Sequence, residues 1–123
     1  MVINGIIFDL DGTLIDTFNT QLKSWREAFE KVGSTLDTDK FINNFGKSYK
    51  DFTFSIDPSL TNLDINEVIK TNKKLMQERS NEYSLFPESK KILETLNEKR
   101  ITCMIASSNP KHVSESLLKQ FQI

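Results

Sequence analysis

The chain has 123 residues, a formal net charge of -1 at pH 7, 37% hydrophobic and 27% charged content, which suits one compact domain or part of a larger one. Lys and Arg number 16 against 17 Asp and Glu with no basic block, so the phosphate-neutralising stripe of a nucleic-acid binder is excluded. A single cysteine excludes an internal disulfide and fits a reducing cytoplasm, and the apolar start is too short, and lacks the basic flank, for a signal or membrane anchor.

Gly5-Ile6-Ile7-Phe8 reads as a strand buried on both faces, as in parallel sheets covered by helices. Asp9 and Asp11 stand at its carboxyl end. Residues two apart on an extended segment point to one side, so these carboxylates are expected to face one crevice while Leu10 turns back into apolar packing. Ligands of open α/β sheets bind at that place. Two like charges held close need a cation between them or a proton on one of them. Either condition suits phosphoryl chemistry: one carboxylate can attack phosphorus, its partner can protonate the leaving oxygen, and Mg²⁺ can neutralise charge. A hairpin turn would account for Asp11-Gly12 but not for Asp9. A calcium loop would need a Glu where Thr20 stands.

After Asp16-Thr17, apolar residues recur at Phe18, Leu22, Trp25, Phe29 and Val32, a helical period closed by Gly33. Asp37 or Thr38 caps a short helix with Phe41, Ile42 and Phe45 on one face, stopped by Gly46. Ser48-x-x-Asp51 resembles a capping box ahead of Phe52 and Ile56, and Pro58 breaks that run. Asp64-x-x-Glu67 opens the longest predicted helix, with Ile65, Val68, Ile69, Asn72, Leu75, Met76, Arg79 and Tyr83 at helical spacing. The stretch 16–85 thus reads as an all-helical insertion, with Phe52-Thr53-Phe54 the segment most open to strand.

Phe86-Pro87-Glu88 leads into a predicted helix over 88–99 that buries Ile92, Leu93 and Leu96, with Lys99 and Arg100 at its C-terminal end. Residues 101–106 form the second buried strand, in which Cys103 is read as a small core residue. Ser107-Ser108-Asn109-Pro110 ends it, with Asn109 as N-cap and Pro110 at N1 of a helix whose apolar face is Val113, Leu117, Leu118 and Phe121. A hydroxyl at a strand end followed at once by a helix N-terminus suits a phosphate, which makes Ser107 a candidate ligand. Turn or capping duty for Ser107 and Ser108 is the alternative. Lys111, in the first turn, is a candidate substrate contact, and His112 reads as a solvated helix residue. Lys73, Lys74 and Arg79 either face a phosphorylated substrate or solvate an outer face.

Asp9-Leu10-Asp11-Gly12-Thr13-Leu14 with Asp16-Thr17 resembles the first motif of the haloacid dehalogenase-like superfamily, in its phosphatase and phosphomutase branch. Met104-Ile105-Ala106-Ser107-Ser108-Asn109 is similar to the second motif. The resemblance implies Asp9 as nucleophile and Asp11 as general acid/base, with Mg²⁺ held by Asp9 and by the Asp11 backbone carbonyl. It implies phosphate contacts from Ser107, with Gly12, Thr13, Ser108 and Lys111 as further candidates. True dehalogenases lack the second Asp, so Asp11 argues for phosphoryl rather than halide chemistry.

The implied fold is α/β: a Rossmann-like core, incomplete with two predicted parallel strands, over 1–15 and 86–123, and a helical cap over 16–85. The implied function is a Mg²⁺-dependent phosphatase acting on a small phosphorylated metabolite through an aspartyl-phosphate. A β-phosphoglucomutase-like phosphomutase and a non-catalytic module keeping part of a phosphate site are the alternatives. Gln21 stands where the sugar-phosphate mutases carry His, Tyr49 follows Gly46-Lys47-Ser48 where they carry Arg, and Pro87-Glu88 replaces a common Pro-Gly. The family's third motif, a Lys, and its fourth, an acidic pair, have no match here. The chain is therefore expected to be an N-terminal portion, inactive by itself and prone to associate through an open sheet edge.

Overall fold

The computed structural model describes all residues, Met1–Ile123, and divides into two compact units: Met1–Thr17 with Tyr83–Ile123, and Phe18–Glu82.

In the first unit, β1 (Gly5–Phe8) pairs in parallel with β4 (Thr102–Ile105), Gly5 opposite Thr102 and Phe8 opposite Ile105. The ladder continues past both ends, with Thr102 N–H donating to the Asn4 carbonyl at 3.1 Å and Ala106 N–H to the Phe8 carbonyl at 2.8 Å. A shorter antiparallel ladder joins β2 (Ile15–Asp16) to β3 (Ser84–Leu85). These two-residue strands flank the helical segment, and none lies inside it. Helices α5 (Ser89–Glu98) and α6 (Lys111–Phe121) complete the unit. Its core is Leu10, Leu14, Ile15 and Leu117, against which Phe8, Leu93, Ile105, Val113 and Phe121 pack.

The expectation of strands buried on both faces is corrected. Side chains alternate across a strand, and while Phe8 and Ile105 reach the core, Ile7 and its register partner Met104 are 68% and 59% exposed. Only one face of the two-stranded sheet is covered. Cys103 is accordingly exposed rather than core, and Ile92, expected inside, is 44% exposed. The cap of α6 is also corrected: Pro110, not Asn109, takes the N-cap position, with no side-chain cap bond.

The second unit holds α1 (Phe18–Glu30), α2 (Thr38–Asn44), α3 (Tyr49–Ile56), α4 (Asn62–Glu78) and a 3₁₀ turn at Ser80–Glu82. Local side-chain chemistry sets the helix starts. Asp37 accepts the Lys40 N–H at 2.7 Å, and Ser48 accepts the Asp51 N–H at 3.3 Å. Thr61 and Asp64 form a reciprocal capping box, so α4 begins before the expected Asp64. Positive φ at Gly33 and Gly46 turns the chain after α1 and α2. Phe52-Thr53-Phe54 is helical, its Thr53 hydroxyl donating to the Tyr49 carbonyl at 2.8 Å. Leu22, Trp25, Ala28 and Phe29 of α1 meet Phe41, Phe52, Ile56 and Val68 in one core, the Phe52 ring 4.6 Å from Trp25 and 5.9 Å from Phe41. On the two-turn α2 only Phe41 is buried, and Ile42 and Phe45 stay exposed.

Arg79 does not project outward as a free cation. Its guanidinium donates to Glu27 at 2.6 Å and to the buried Ser24 hydroxyl at 3.2 Å. Lys74 pairs with Glu78, and Lys73 lies 5.3 Å over the Tyr49 ring.

Candidate active site

The chain leaves β1 at Phe8 and closes a tight turn around one carbonyl. The Leu10 carbonyl accepts N–H bonds from Thr13 (3.3 Å), Leu14 (3.0 Å) and Ile15 (3.1 Å), and Gly12 N–H donates to the Ile15 carbonyl at 2.8 Å. Gly12 sits at φ +79, a left-handed conformation that glycine adopts without steric cost. Complete burial of Leu10 anchors the turn in the core. Asp9 and Asp11, on either side of Leu10, keep their carboxylates out of that core, Asp9 exposed and Asp11 half-buried.

Each carboxylate has one partner holding it. Asp9 Oδ2 accepts the Thr13 hydroxyl at 3.3 Å, and Asp11 Oδ2 accepts the Asn109 side-chain amide at 2.7 Å. The second bond spans 98 residues and ties the turn after β4 to the turn after β1. Asn109 therefore holds the site rather than the helix, which begins one residue later with Pro110 at its N-cap. Burial pushes the Asp11 carboxyl above the usual 3.8, the Asn109 bond opposes that rise, and the neighbouring Asp9 charge adds to it. The consequence is that the Asp11 carboxyl is biased toward holding a proton.

Ser107 lies just past β4 at the same end of the sheet, and its Oγ accepts the Asn109 backbone N–H at 3.1 Å. Its own O–H can still be given to an anion. The structure brings together Asp9, Asp11, Thr13, Asn109 and Ser107 through these bonds. Gly12 contributes through its backbone conformation, and Ser108 is exposed in the turn after β4. Lys111 is solvent-exposed with its ammonium 3.6 Å from Glu115, one turn along α6. His112 is exposed.

Asp9 and Asp11 offer hard oxygen donors of the kind Mg²⁺ takes. No three His, Cys, Asp or Glu side chains gather where they could hold a metal ion, so the two aspartates fit part of a Mg²⁺ shell and the remaining positions fall to water or to other oxygens. Two functional contacts escape a sequence reading. Asn109 presents the pattern of an N-cap, and Ser89, whose buried hydroxyl donates to the Leu14 carbonyl at 2.7 Å, carries no local signal. A polar residue immediately after the Ser107 turn was the one available hint for Asn109.

No helix is long and apolar enough to cross a membrane. The sequence profile of the haloacid dehalogenase-like hydrolases matches residues 6–123. The pyrophosphatase PpaX of Oceanobacillus iheyensis is 31% identical over 113 residues, which cover 91% of this chain and 51% of that protein. A PpaX protein of Clostridium perfringens is 29% identical over 115 residues, covering 93% of this chain and 52% of the relative. The chain thus spans about half the length of the curated relatives it matches. A haloacid dehalogenase-like hydrolase from Streptococcus pneumoniae superposes with a TM-score of 0.84 at 23% identity, over 98% of this chain and 57% of that one, a likeness of fold.

Proposed function

Because the chain belongs to the haloacid dehalogenase-like hydrolases, we propose that it carries the nucleophile and the general acid/base of a Mg²⁺-dependent phosphatase acting on a small phosphorylated metabolite. The observation that carries this reading is the pair of aspartates at the end of β1, with Asp11 half-buried and held by Asn109 at 2.7 Å. An Asp9 carboxylate oxygen attacks phosphorus in line, forming an aspartyl-phosphate as the bond from phosphorus to the leaving oxygen breaks. Asp11 gives its proton to that oxygen, then as a carboxylate takes a proton from the water that attacks the aspartyl-phosphate and frees Asp9. The Ser107 hydroxyl, the Thr13 hydroxyl and the Gly12 region bind phosphoryl oxygens. When bound by Asp9 and the Asp11 backbone carbonyl, Mg²⁺ supplies charge neutralisation.

Likeness to two PpaX proteins supports a second substrate reading, in which the ester is replaced by the anhydride of pyrophosphate. Both readings use the same attack and proton transfer. The helical unit Phe18–Glu82 serves as the selectivity cap. The single cysteine fits cytoplasmic residence, and the exposed Ile7 and Met104 side of the small sheet favours association between chains.

Because the chain spans about half the length of its curated relatives and phosphoryl transfer depends on positioning and charge stabilisation, this reading expects the 123 residues alone to turn over little substrate. The test compares this chain with a chimera that joins it to the unmatched remainder of the Oceanobacillus relative. Phosphate release from sugar phosphates, a generic ester and pyrophosphate is measured with and without Mg²⁺. The chimera should release phosphate only with Mg²⁺ and lose that activity in Asp9→Asn. Activity that survives Asp9→Asn refutes the mechanism, and equal activity in the 123-residue chain refutes the expected dependence on the added segment.

A further inference from the structure

Ser89 is the first residue of α5 and is 3% exposed. Its hydroxyl does not cap its own helix: Glu88 holds the N-cap position and makes no side-chain cap bond. The Oγ instead donates to the Leu14 carbonyl at 2.7 Å, a bond across 75 residues. Phe86 N–H donates to the same oxygen at 3.2 Å, so both lone pairs of Leu14 are engaged by the segment that enters α5.

Leu14 belongs to the turn that carries Asp11. Its N–H donates to the Leu10 carbonyl, and the next residue, Ile15, closes the turn by bonding both Leu10 and Gly12. The turn is therefore gripped on two sides, by the buried Leu10 within and by Phe86 and Ser89 at the entry to α5. Alanine has the higher helix propensity and a buried hydroxyl is unfavourable unless bonded, so helix formation does not explain a serine here, whereas the Leu14 bond does.

We infer that Ser89 is a positioning residue, holding the Asp9–Asp11 turn against the start of α5 through the Leu14 carbonyl. Its catalytic relevance rests on the proposed roles of Asp9 and Asp11, while its mechanical role stands apart from them.

Amide hydrogen exchange and the side-chain carboxyl ¹³C resonances of Asp9 and Asp11 test this in the 123-residue chain, comparing Ser89→Ala, Ser89→Thr and a control, Val113→Ala, which loosens the same core while removing no hydrogen bond of the turn. In Ser89→Ala, exchange at Gly12 and Ile15 should quicken by roughly five- to tenfold relative to β1 and β4, the loss of one buried hydrogen bond. The Asp11 resonance should move, Ser89→Thr should restore both readouts, and Val113→Ala should quicken turn and strands in step. Exchange at Gly12 and Ile15 that stays at the wild-type rate, or rises only in step with the strands, overturns the inference. In the unaltered chain the Ser89 hydroxyl proton should itself be observable and slow to exchange. If Ser89→Ala does not fold, that proton decides, and its absence overturns the inference. Failure of the proposed function shows elsewhere, as phosphate release by the chimera that survives Asp9→Asn, and leaves the exchange result intact.

Discussion

The Arg79 guanidinium offers a sharp energetic test, because its side chain is 17% exposed while that of its partner Glu27 is 40% exposed. Replacing Arg79 with Met keeps most of the apolar stem but removes the 2.6 Å bond to Glu27 and the 3.2 Å bond to Ser24. A surface pair is worth about 0.2–1 kcal/mol and a buried charged hydrogen bond about 1.5–3 kcal/mol. A mostly buried guanidinium facing a partly exposed carboxylate places Arg79→Met between these, at about 1–2 kcal/mol. Gln keeps an amide oxygen that can still accept from the guanidinium, so Glu27→Gln should be milder, at about 0.5–1 kcal/mol. In the double mutant the two losses should overlap by about 1 kcal/mol, since both remove the same contact. The chain has one tryptophan, Trp25, buried in the helical unit, so its fluorescence during urea unfolding reports on that unit. For a unit of this size, 1 kcal/mol corresponds to a shift of about 4–8 °C in Tm. A cycle in which the two single losses simply add, or an Arg79→Met midpoint equal to wild type, would refute the claim that the charge contact rather than stem packing stabilises α1 against α4.

Two further outcomes follow from named protonation shifts. Burial raises the folded Asp11 pKa above the usual 3.8, so the stability linked to its proton is fully present below 3.8 and is lost as pH rises through the folded value. Asp11→Asn should therefore melt higher than wild type at neutral pH in calorimetry, with the gap closing as pH falls, and a lower melting point at pH 7 would contradict this. Asp57 behaves oppositely: the Ser34 hydroxyl at 2.6 Å, then the Ser59 hydroxyl and N–H, hold its carboxyl below 3.8. Its contribution is present above 3.8 and is lost as pH falls through the folded value. Asp57→Asn should lower the Trp25 urea midpoint near neutrality and match wild type in strong acid, and equal midpoints at every pH would remove Asp57 from the account.

What could be read from sequence was whatever neighbouring residues decide. Asp37 and Ser48 cap helices because their side chains meet an N–H three residues on, and Gly33 and Gly46 end turns through their own φ. Asp64-x-x-Glu67 satisfies the same pattern as the Thr61 box, and only geometry chooses between them. Asn109 shows local preference overridden from afar: its position fits a cap, yet a carboxylate 98 residues away takes its amide. Ile7, Cys103 and Met104 were expected inside because an apolar run says nothing of how many faces will be covered. At the site, Asp9 and Asp11 were visible as a spacing, but Ser89, joined to the turn only through a main-chain oxygen, left no trace in composition or period.

The small ladder between Ile15–Asp16 and Ser84–Leu85 makes the helical unit exchangeable in principle. Both of its ends enter and leave through one antiparallel pair, which is the stem of a hairpin whose loop happens to be four helices long. Joining Asp16 to Ser84 through a two-residue Asn-Gly turn would close that stem with the turn type such ladders favour. Loop-closure entropy grows only logarithmically, each doubling of length adding about 0.6 kcal/mol, so lengthening, shortening or grafting the segment burdens the remainder little. Exchange of the helices through this stem leaves the paired aspartates, which lie outside it in sequence, where they are.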